Sequence, residues 1–456
     1  MRGTLAELIA SMPGSLLLAN ASFDQVSTDS RTANAGALFV ALRGETFDAH
    51  DFLPQVAANG AAAVVAERLP EGWNLPAIVV PDTLAALGQI ANHWRRRHAI
   101  PVIGVTGSNG KTTVKEMIAA ILAAAFGEEA RLATQGNLNN EIGVPLTLMR
   151  LGASHRAAVV ELGMNHPGEI ARLAAIAGPT VAMVNNAQRE HQEFMHTVEA
   201  VALENGAVLS ALPADGVAVY PGDDTYTALW RKLAAHCRSI TFGFTDACDV
   251  RASHVSTGFG NNLKVTTPDG EFGLKLAAAG EHNVRNALAA IACALAAGIA
   301  QDLIVRGLES FAPVGGRLQQ KRSACGALVI DDTYNANPDS MRAAIDVLAS
   351  YPAPRILVVG DMGEVGTQGR EFHEEIGAYA HSRGIETVLA TGELSTYLVA
   401  SGAHHYEQFD DLLAALDKQL GGNSDATVLV KGSRFMKMER VVNHLTGSTH
   451  TGKDAH

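Results

Sequence analysis

Apolar positions along the chain fall into short runs and helical stripes that alternate from end to end. Ala37–Leu42, Ala61–Ala66 and Ala77–Val80 have strand length, and Pro81-Asp82-Thr83 opens a helix that runs to about His98. Ile100–Val105 starts a new pattern: an apolar strand, a glycine-rich turn, then a helix whose Val114, Met117, Ile118, Ile121, Leu122 and Ala125 share one face. Two further runs, Ala157–Leu162 and Val181–Asn185, enclose a helix over Gly168–Ala177. Such alternation implies βαβ units and a largely parallel sheet. Phe311-Ala312-Pro313-Val314-Gly315-Gly316 reads as a linker. Beyond it Ala327–Ile330, Arg355–Val359, Thr387–Ala390 and Thr427–Val430 are each separated by helical sequence, as in a doubly wound unit. The pattern predicts an α/β chain of three domains over 1–98, 99–313 and 314–456, with a frayed end over the last ten residues.

Composition agrees with that division, since 456 residues make three domains at about 150 residues each. Hydrophobic residues at 47% against 18% charged supply ample core, and 5% aromatics with abundant Ala and Gly suit helices packed closely on sheets. A net charge of −12, from 35 basic and 47 acidic residues, argues against nucleic acid or an anionic membrane as partner. It leaves room for a local basic pocket. The one tight basic run, Arg95-Arg96-Arg97, reads as a solvated helix end. Cys237, Cys248, Cys293 and Cys325 are far apart and form no CxxC pair, so neither a disulfide framework nor a zinc site is expected. Glu7 and Pro13 break any signal-peptide layout, and the apolar stretch Ala287–Ala297 is too short to span a bilayer. These features lead us to expect a cytoplasmic monomer with no membrane insertion.

The most informative chemistry lies in Thr106-Gly107-Ser108-Asn109-Gly110-Lys111-Thr112-Thr113. Glycines let backbone N–H groups curl around phosphate oxygens, and the following helix turns its free N–H groups and positive dipole end toward the anion. Lys111 adds a charge for the β- and γ-phosphates, and the Thr112 hydroxyl can ligate Mg²⁺. The general pattern G-x-x-x-x-G-K-[ST] is not met strictly, because Val105 stands at its first position and Gly104 is one residue early. A strand before the turn and a helix after it are predicted independently of the motif, so a nucleotide site is the stronger reading.

Thr-Gly-x-Asn-Gly-Lys-Thr is also the form of this loop in the Mur ligases and the related folylpolyglutamate synthases. The chain resembles the Mur ligase family over nearly its whole length, with motifs in the same order. The resemblance implies a small N-terminal α/β domain for the UDP-substrate, a central P-loop parallel-sheet ATPase domain and a C-terminal Rossmann-like domain. It assigns Ser30 and Arg31, in Ser27-Thr28-Asp29-Ser30-Arg31, to the UDP end of the substrate. Asn137 and Asn139, in the run from Thr134 to Pro145, would touch substrate beside the metal. Glu161, at the carboxyl end of a strand, resembles a Mg²⁺ ligand, and His191 a second one that also serves catalysis. Many family members carry a carbamylated lysine farther on. The stretch Val201–Gly206 has none, and Glu204 is expected to supply that anion. Asn283, in Glu281-His282-Asn283-Val284-Arg285-Asn286, is expected to contact adenine, or to cap its helix, or both. Arg317 is expected to bring a guanidinium onto the phosphates as the domains close.

Asp331-Asp332-Thr333-Tyr334-Asn335-Ala336-Asn337-Pro338 distinguishes among relatives: it resembles the members that take D-alanyl-D-alanine, and no Asp-Asn-Pro-Arg signature is present. The implied reactants are a UDP-N-acetylmuramoyl-tripeptide and D-alanyl-D-alanine, with ATP and Mg²⁺ as cofactors. Asp332, Asp361 or Glu364 could hold the dipeptide ammonium, and Lys431, Ser433 or Arg434 its carboxylate, with Asn335 nearby and Asp332 also a catalytic candidate. The implied chemistry is transfer of the γ-phosphoryl group to a carboxylate, then attack by the amine on the acyl phosphate. Lys111, Arg317 and Mg²⁺ would offset the repulsion of like charges. Two other readings compete: a folylpolyglutamate synthase on the same scaffold, and a non-catalytic ATP-binding switch.

Overall fold

The computed structural model describes residues 1–448 apart from 45 and 191. Three larger parallel-rich sheets follow one another along the chain. The first has five strands in the order Leu16–Leu17, Ala77–Val79, Ala63–Ala66, Ala37–Val40, Gln25–Ser27, parallel except for Leu16–Leu17 at its edge. The second has nine. Val102–Thr106 lies inside it between Ala157–Glu161 and Val181–Val184, and the three run parallel. The third has six, with Leu328–Asp332 beside Thr427–Lys431, which in turn pairs with Arg355–Val359. In a parallel sheet all carboxyl ends point one way, so Thr106 and Glu161, which end Val102–Thr106 and Ala157–Glu161, gather on one edge with Asn185, which follows Val181–Val184.

Local chemistry explains the element ends. Asp82 caps the helix Thr83–Arg96 by accepting from Leu84 N–H at 2.8 Å and Ala85 N–H at 3.0 Å. Gly110 precedes the helix Lys111–Phe126 with φ +82. A Cβ there would lie 2.4 Å from Asn286 Oδ1, so only glycine fits without displacing the neighbouring asparagines.

Two features depart from the expected pattern. Val250–Ser256, Asn261–Thr267 and Gly270–Leu276 form an antiparallel meander on one edge of the central sheet. Arg95 is buried, not solvated: its guanidinium donates to the carbonyls of Ala177 at 3.2 Å and His98 at 2.7 Å. With Asn92 donating to Ala175 O and Trp94 to Leu151 O, this stitches the N-terminal unit to the central one, and a single apolar core runs through both. Among the described residues no helix is long and apolar enough to cross a membrane.

Candidate active site

A cavity of about 1990 Å³ opens where the carboxyl edge of the central sheet faces the C-terminal unit. The phosphate loop from Ser108 to Thr113, Asn137, Asn139, Glu161, Asn283, Arg317, Asp332, Asn335 and Lys431 all line it. Gly107 adopts φ +135, and Asn109 O accepts from both Asn185 Nδ2 at 2.7 Å and Asn186 Nδ2 at 3.0 Å. The loop is thus braced by the next strand. Lys111 folds back on its own loop, donating to the carbonyls of Gly107 and of Ser108 at 3.1 Å, with Glu190 Oε2 at 3.5 Å.

Thr112 is a junction. Its hydroxyl donates to Glu161 Oε1 at 3.2 Å and accepts from Arg317 Nη2 at 2.8 Å, so an arginine from beyond the linker reaches the phosphate loop. Glu161 Oε1 also accepts from Asn139 Nδ2 at 2.9 Å, while Glu161 Oε2 is buried with no hydrogen-bond partner. An ionised oxygen buried without a partner is costly, and a cation would relieve it. Among the described residues no cluster of three or more His, Cys, Asp or Glu stands together. A divalent ion beside Thr112 and Glu161 could complete its shell with phosphate oxygens and water, as Mg²⁺ commonly does.

Arg317 is itself positioned. Asp332 Oδ1 accepts from the N–H of Leu318 at 3.1 Å, and its Oδ2 from Lys431 Nζ at 2.6 Å. Leu318 sits at φ +53, and the Arg317 guanidinium lies 4.1 Å from the centre of the Tyr334 ring. Partly exposed at the cavity wall, His282 is lowered to about 4 by burial and by the Lys431 charge, with Asp332 opposing, and so is neutral near pH 7.

Several expected site residues do other work. Glu204 does not face the cavity: its two oxygens accept from Gly168 N–H and Ile170 N–H, each at 2.8 Å, at the start of the helix Glu169–Ala177. In this structure both oxygens thus serve as a cap. Asp361 likewise accepts from the N–H groups of Glu393, Leu394 and Ser395 at 2.7–3.2 Å and does not line the cavity. Ser433 is buried, accepting from Gly363 N–H at 2.6 Å and donating to Ala336 O at 3.1 Å, so it braces the cavity wall from behind. The Asn283 amide donates to Ala279 O and accepts from Asn286, which makes its position structural even though it lines the cavity. Ser30 and Arg31 stand outside the cavity, Arg31 exposed and paired with Asp29. His191 lies outside the described residues.

Contacts between the central and C-terminal units at the cavity had no signal in the sequence. Arg189 clasps Asp339 and Glu375 of the C-terminal unit, with Nη2–Oδ1 at 2.6 Å and Nη1–Oε2 at 2.7 Å. Asn109 and Asn337 exchange side-chain amide bonds at 3.0 and 3.3 Å. A lone arginine in a loop gives no sequence signal, and its partners are 150 and 186 residues away.

Comparison with known proteins follows the same layout. Residues 22–95, 105–294 and 316–434 match, in turn, the families described as Mur ligase family, catalytic domain; Mur ligase middle domain; and Mur ligase, glutamate ligase domain. The UDP-N-acetylmuramoyl-tripeptide–D-alanyl-D-alanine ligase of Escherichia coli (strain K12) is 40% identical over 446 residues, 97% of this chain and 98% of that protein. A crystal structure of MurF from Acinetobacter baumannii superposes with a TM-score of 0.91 at 35% identity, covering 98% of this chain and 99% of that one. MurF ligase from Thermotoga maritima, in complex with ADP, does so with a TM-score of 0.85 at 27% identity, over 93% and 97% of the two chains.

Proposed function

The chain belongs to the Mur ligase family, and we propose on that footing that it joins D-alanyl-D-alanine to a UDP-N-acetylmuramoyl-tripeptide at the expense of ATP. The observation that carries this reading is the Arg317–Thr112–Glu161 chain, which links the C-terminal unit to the phosphate loop across the cavity. A nucleotide switch needs the loop alone. A ligase must bring a nucleotide, an acid and an amine together.

The phosphate loop and Lys111 receive the triphosphate, with Lys111 exchanging its loop carbonyls for phosphate oxygens. Thr112 and Glu161 would hold Mg²⁺, which when bound neutralises charge on the phosphates. Arg317, fixed by the bond from Leu318 N–H to Asp332, faces the same phosphates, so the negative tripeptide carboxylate can approach. Asn137 and Asn139 orient that substrate from the loop beside Glu161. The N-terminal unit holds the uridine end, and Ser30, half-buried, and Arg31, exposed, stay candidates there. At the dipeptide end, Glu364, Arg434, Lys431 and Asn335 line the cavity. Burial of the reactants between the two units adds positioning to that charge stabilisation.

Since one chain assembles this cavity, we place the enzyme as a monomer, and its four free cysteines suit the reducing cytoplasm. The decisive assay follows ADP and phosphate release with the tripeptide, the dipeptide, both and neither. Release that needs both, together with a product heavier by the dipeptide less water, is expected. Lys111→Ala should abolish it in a folded protein. ATP hydrolysis indifferent to either substrate would favour the switch.

A further inference from the structure

Lys115 is a buried charge that the reaction outlined above does not use. It follows Lys111 by one helical turn on the helix Lys111–Phe126 and is 1% exposed. Burying an ammonium is expensive, and an apolar side chain of like size would fill the same space more cheaply. Its partners show what the charge holds. Nζ pairs with Glu116, the next residue, and donates to the backbone carbonyl of Thr134 at 3.0 Å.

Thr134 is where the strand Arg131–Ala133 gives way to the asparagine-rich loop. It too is buried, and each of its polar groups is engaged. Its N–H donates to Val159 O at 3.1 Å, and its hydroxyl accepts from the N–H of Glu161 at 2.9 Å. Glu161 in turn accepts from Thr112 and Asn139 on one oxygen and keeps the other unpaired. One continuous path therefore runs from the Lys115 ammonium through Thr134 to the backbone and carboxylate of Glu161.

We propose that Lys115 is a positioning residue: its ammonium anchors Thr134, and through it sets both the Glu161 carboxylate and the loop that carries Asn137 and Asn139. The inference rests on the ligase reading for its kinetic consequences, but not for its structural one. Lys115 touches no reactant. It fixes the distance between the helix that holds the nucleotide and the loop that holds the acid.

The test compares Lys115→Met, which keeps the stem and removes the charge, with Thr134→Val, which removes the hydroxyl at nearly constant shape. In the ligand-free proteins, amide hydrogen exchange over 135–140 should quicken in both variants, with protection of the helix Lys111–Phe126 unchanged. In turnover, the tripeptide KM should rise about tenfold and kcat fall about tenfold, because small misplacements of reacting groups are amplified in rate. Nucleotide affinity, measured by calorimetry, should stay within about threefold, since the phosphate loop is intact. The double variant should be little worse than either single one, because both cut the same path. A lower melting temperature with unchanged KM, kcat and loop exchange would overturn the proposal and leave Lys115 a packing residue. Thr134→Val cuts only the second link, since the Lys115 bond is to the Thr134 carbonyl. If Lys115→Met does not fold, Lys115→Gln, which removes the charge but keeps a side-chain N–H donor, carries the test of the first. Should the wild-type protein release no phosphate with both substrates, the ligase reading fails, while the exchange measurement still decides whether Lys115 anchors the loop.

Discussion

Arg189→Ala should loosen the closed arrangement of the central and C-terminal units by about 2 kcal/mol. The guanidinium contacts Asp339 and Glu375 at 2.6–3.2 Å. The three side chains are 25%, 22% and 32% exposed. An exposed ion pair contributes about 0.2–1 kcal/mol, and breaking a buried one costs about 3–5 kcal/mol. Exposure of a quarter to a third puts this cluster between those limits. The backbone N–H of Arg189 keeps its 2.9 Å bond to Asp339 in the variant, which trims the loss. A change of about 2 kcal/mol moves the ratio of closed to open molecules about 30-fold. Solution scattering of the ligand-free variant should show a larger radius of gyration, and kcat/KM for both substrates should fall by up to that factor. Nucleotide binding should change far less. The hydrogen bond from Arg189 holds Glu375 below its ordinary 4.5, so the contribution is whole above that pH and lost only on acidifying through the lowered value. The defect should accordingly be equal at pH 6 and pH 8. Identical scattering with kcat/KM changed by less than about twofold would refute the clasp.

Gly110→Ala must place a Cβ 2.4 Å from Asn286 Oδ1 at φ +82, a strain of about 1–3 kcal/mol, and should weaken nucleotide binding at least about tenfold by calorimetry; unchanged affinity would show that the loop yields. His282, lowered to about 4, binds its proton less readily than in the unfolded chain, so its contribution to stability is complete above pH 6.5 and is lost as pH falls toward 4, up to about 3 kcal/mol. The melting temperature of wild type relative to His282→Gln should therefore fall as pH drops from 6.5 toward 4; parallel curves from pH 7 to pH 4 would contradict this. Asp361→Ala should cost about 1–2 kcal/mol of stability through the lost cap, with the dipeptide KM unchanged. A raised KM would return Asp361 to the dipeptide site.

Much of the architecture could be read directly from runs of small apolar residues. Arg355–Val359 coincides with its strand, and Val102–Thr106, Ala157–Glu161 and Thr427–Lys431 differ from their expected bounds by one or two residues. Strands buried on both faces carry unbroken apolar sequence, which is the clearest signal of a parallel sheet. The meander was harder to see because it is half-buried. Leu263 and Val265 point inward while Asn262 and Lys264 are exposed, and such alternation is short and weak beside a continuous run. Arg95 shows the converse failure. A charged triplet at a helix end looks solvated, yet the first of the three meets the carbonyl ends of a neighbouring segment that no local pattern foretells.

The site divides along a similar line. Backbone-defined parts were legible, because a phosphate loop is prescribed by its own glycines and the helix that follows. Side-chain parts were not, because a carboxylate at a strand or helix end has two uses that look alike in sequence. Glu161 and Asp361 both follow apolar strands, and each is buried. Three backbone N–H groups satisfy both oxygens of Asp361, whereas one oxygen of Glu161 has no partner. Glu204 falls on the side of Asp361, satisfied by the N–H groups of a helix start. A buried carboxylate whose lone pairs are spent on backbone stabilises the fold, and one that keeps an oxygen in reserve is available to a cation. Which of these a given residue becomes depends on whether a helix N-terminus happens to point at it. That is a property of how distant segments pack, and it separates capping acid from ligand where residue type and spacing do not.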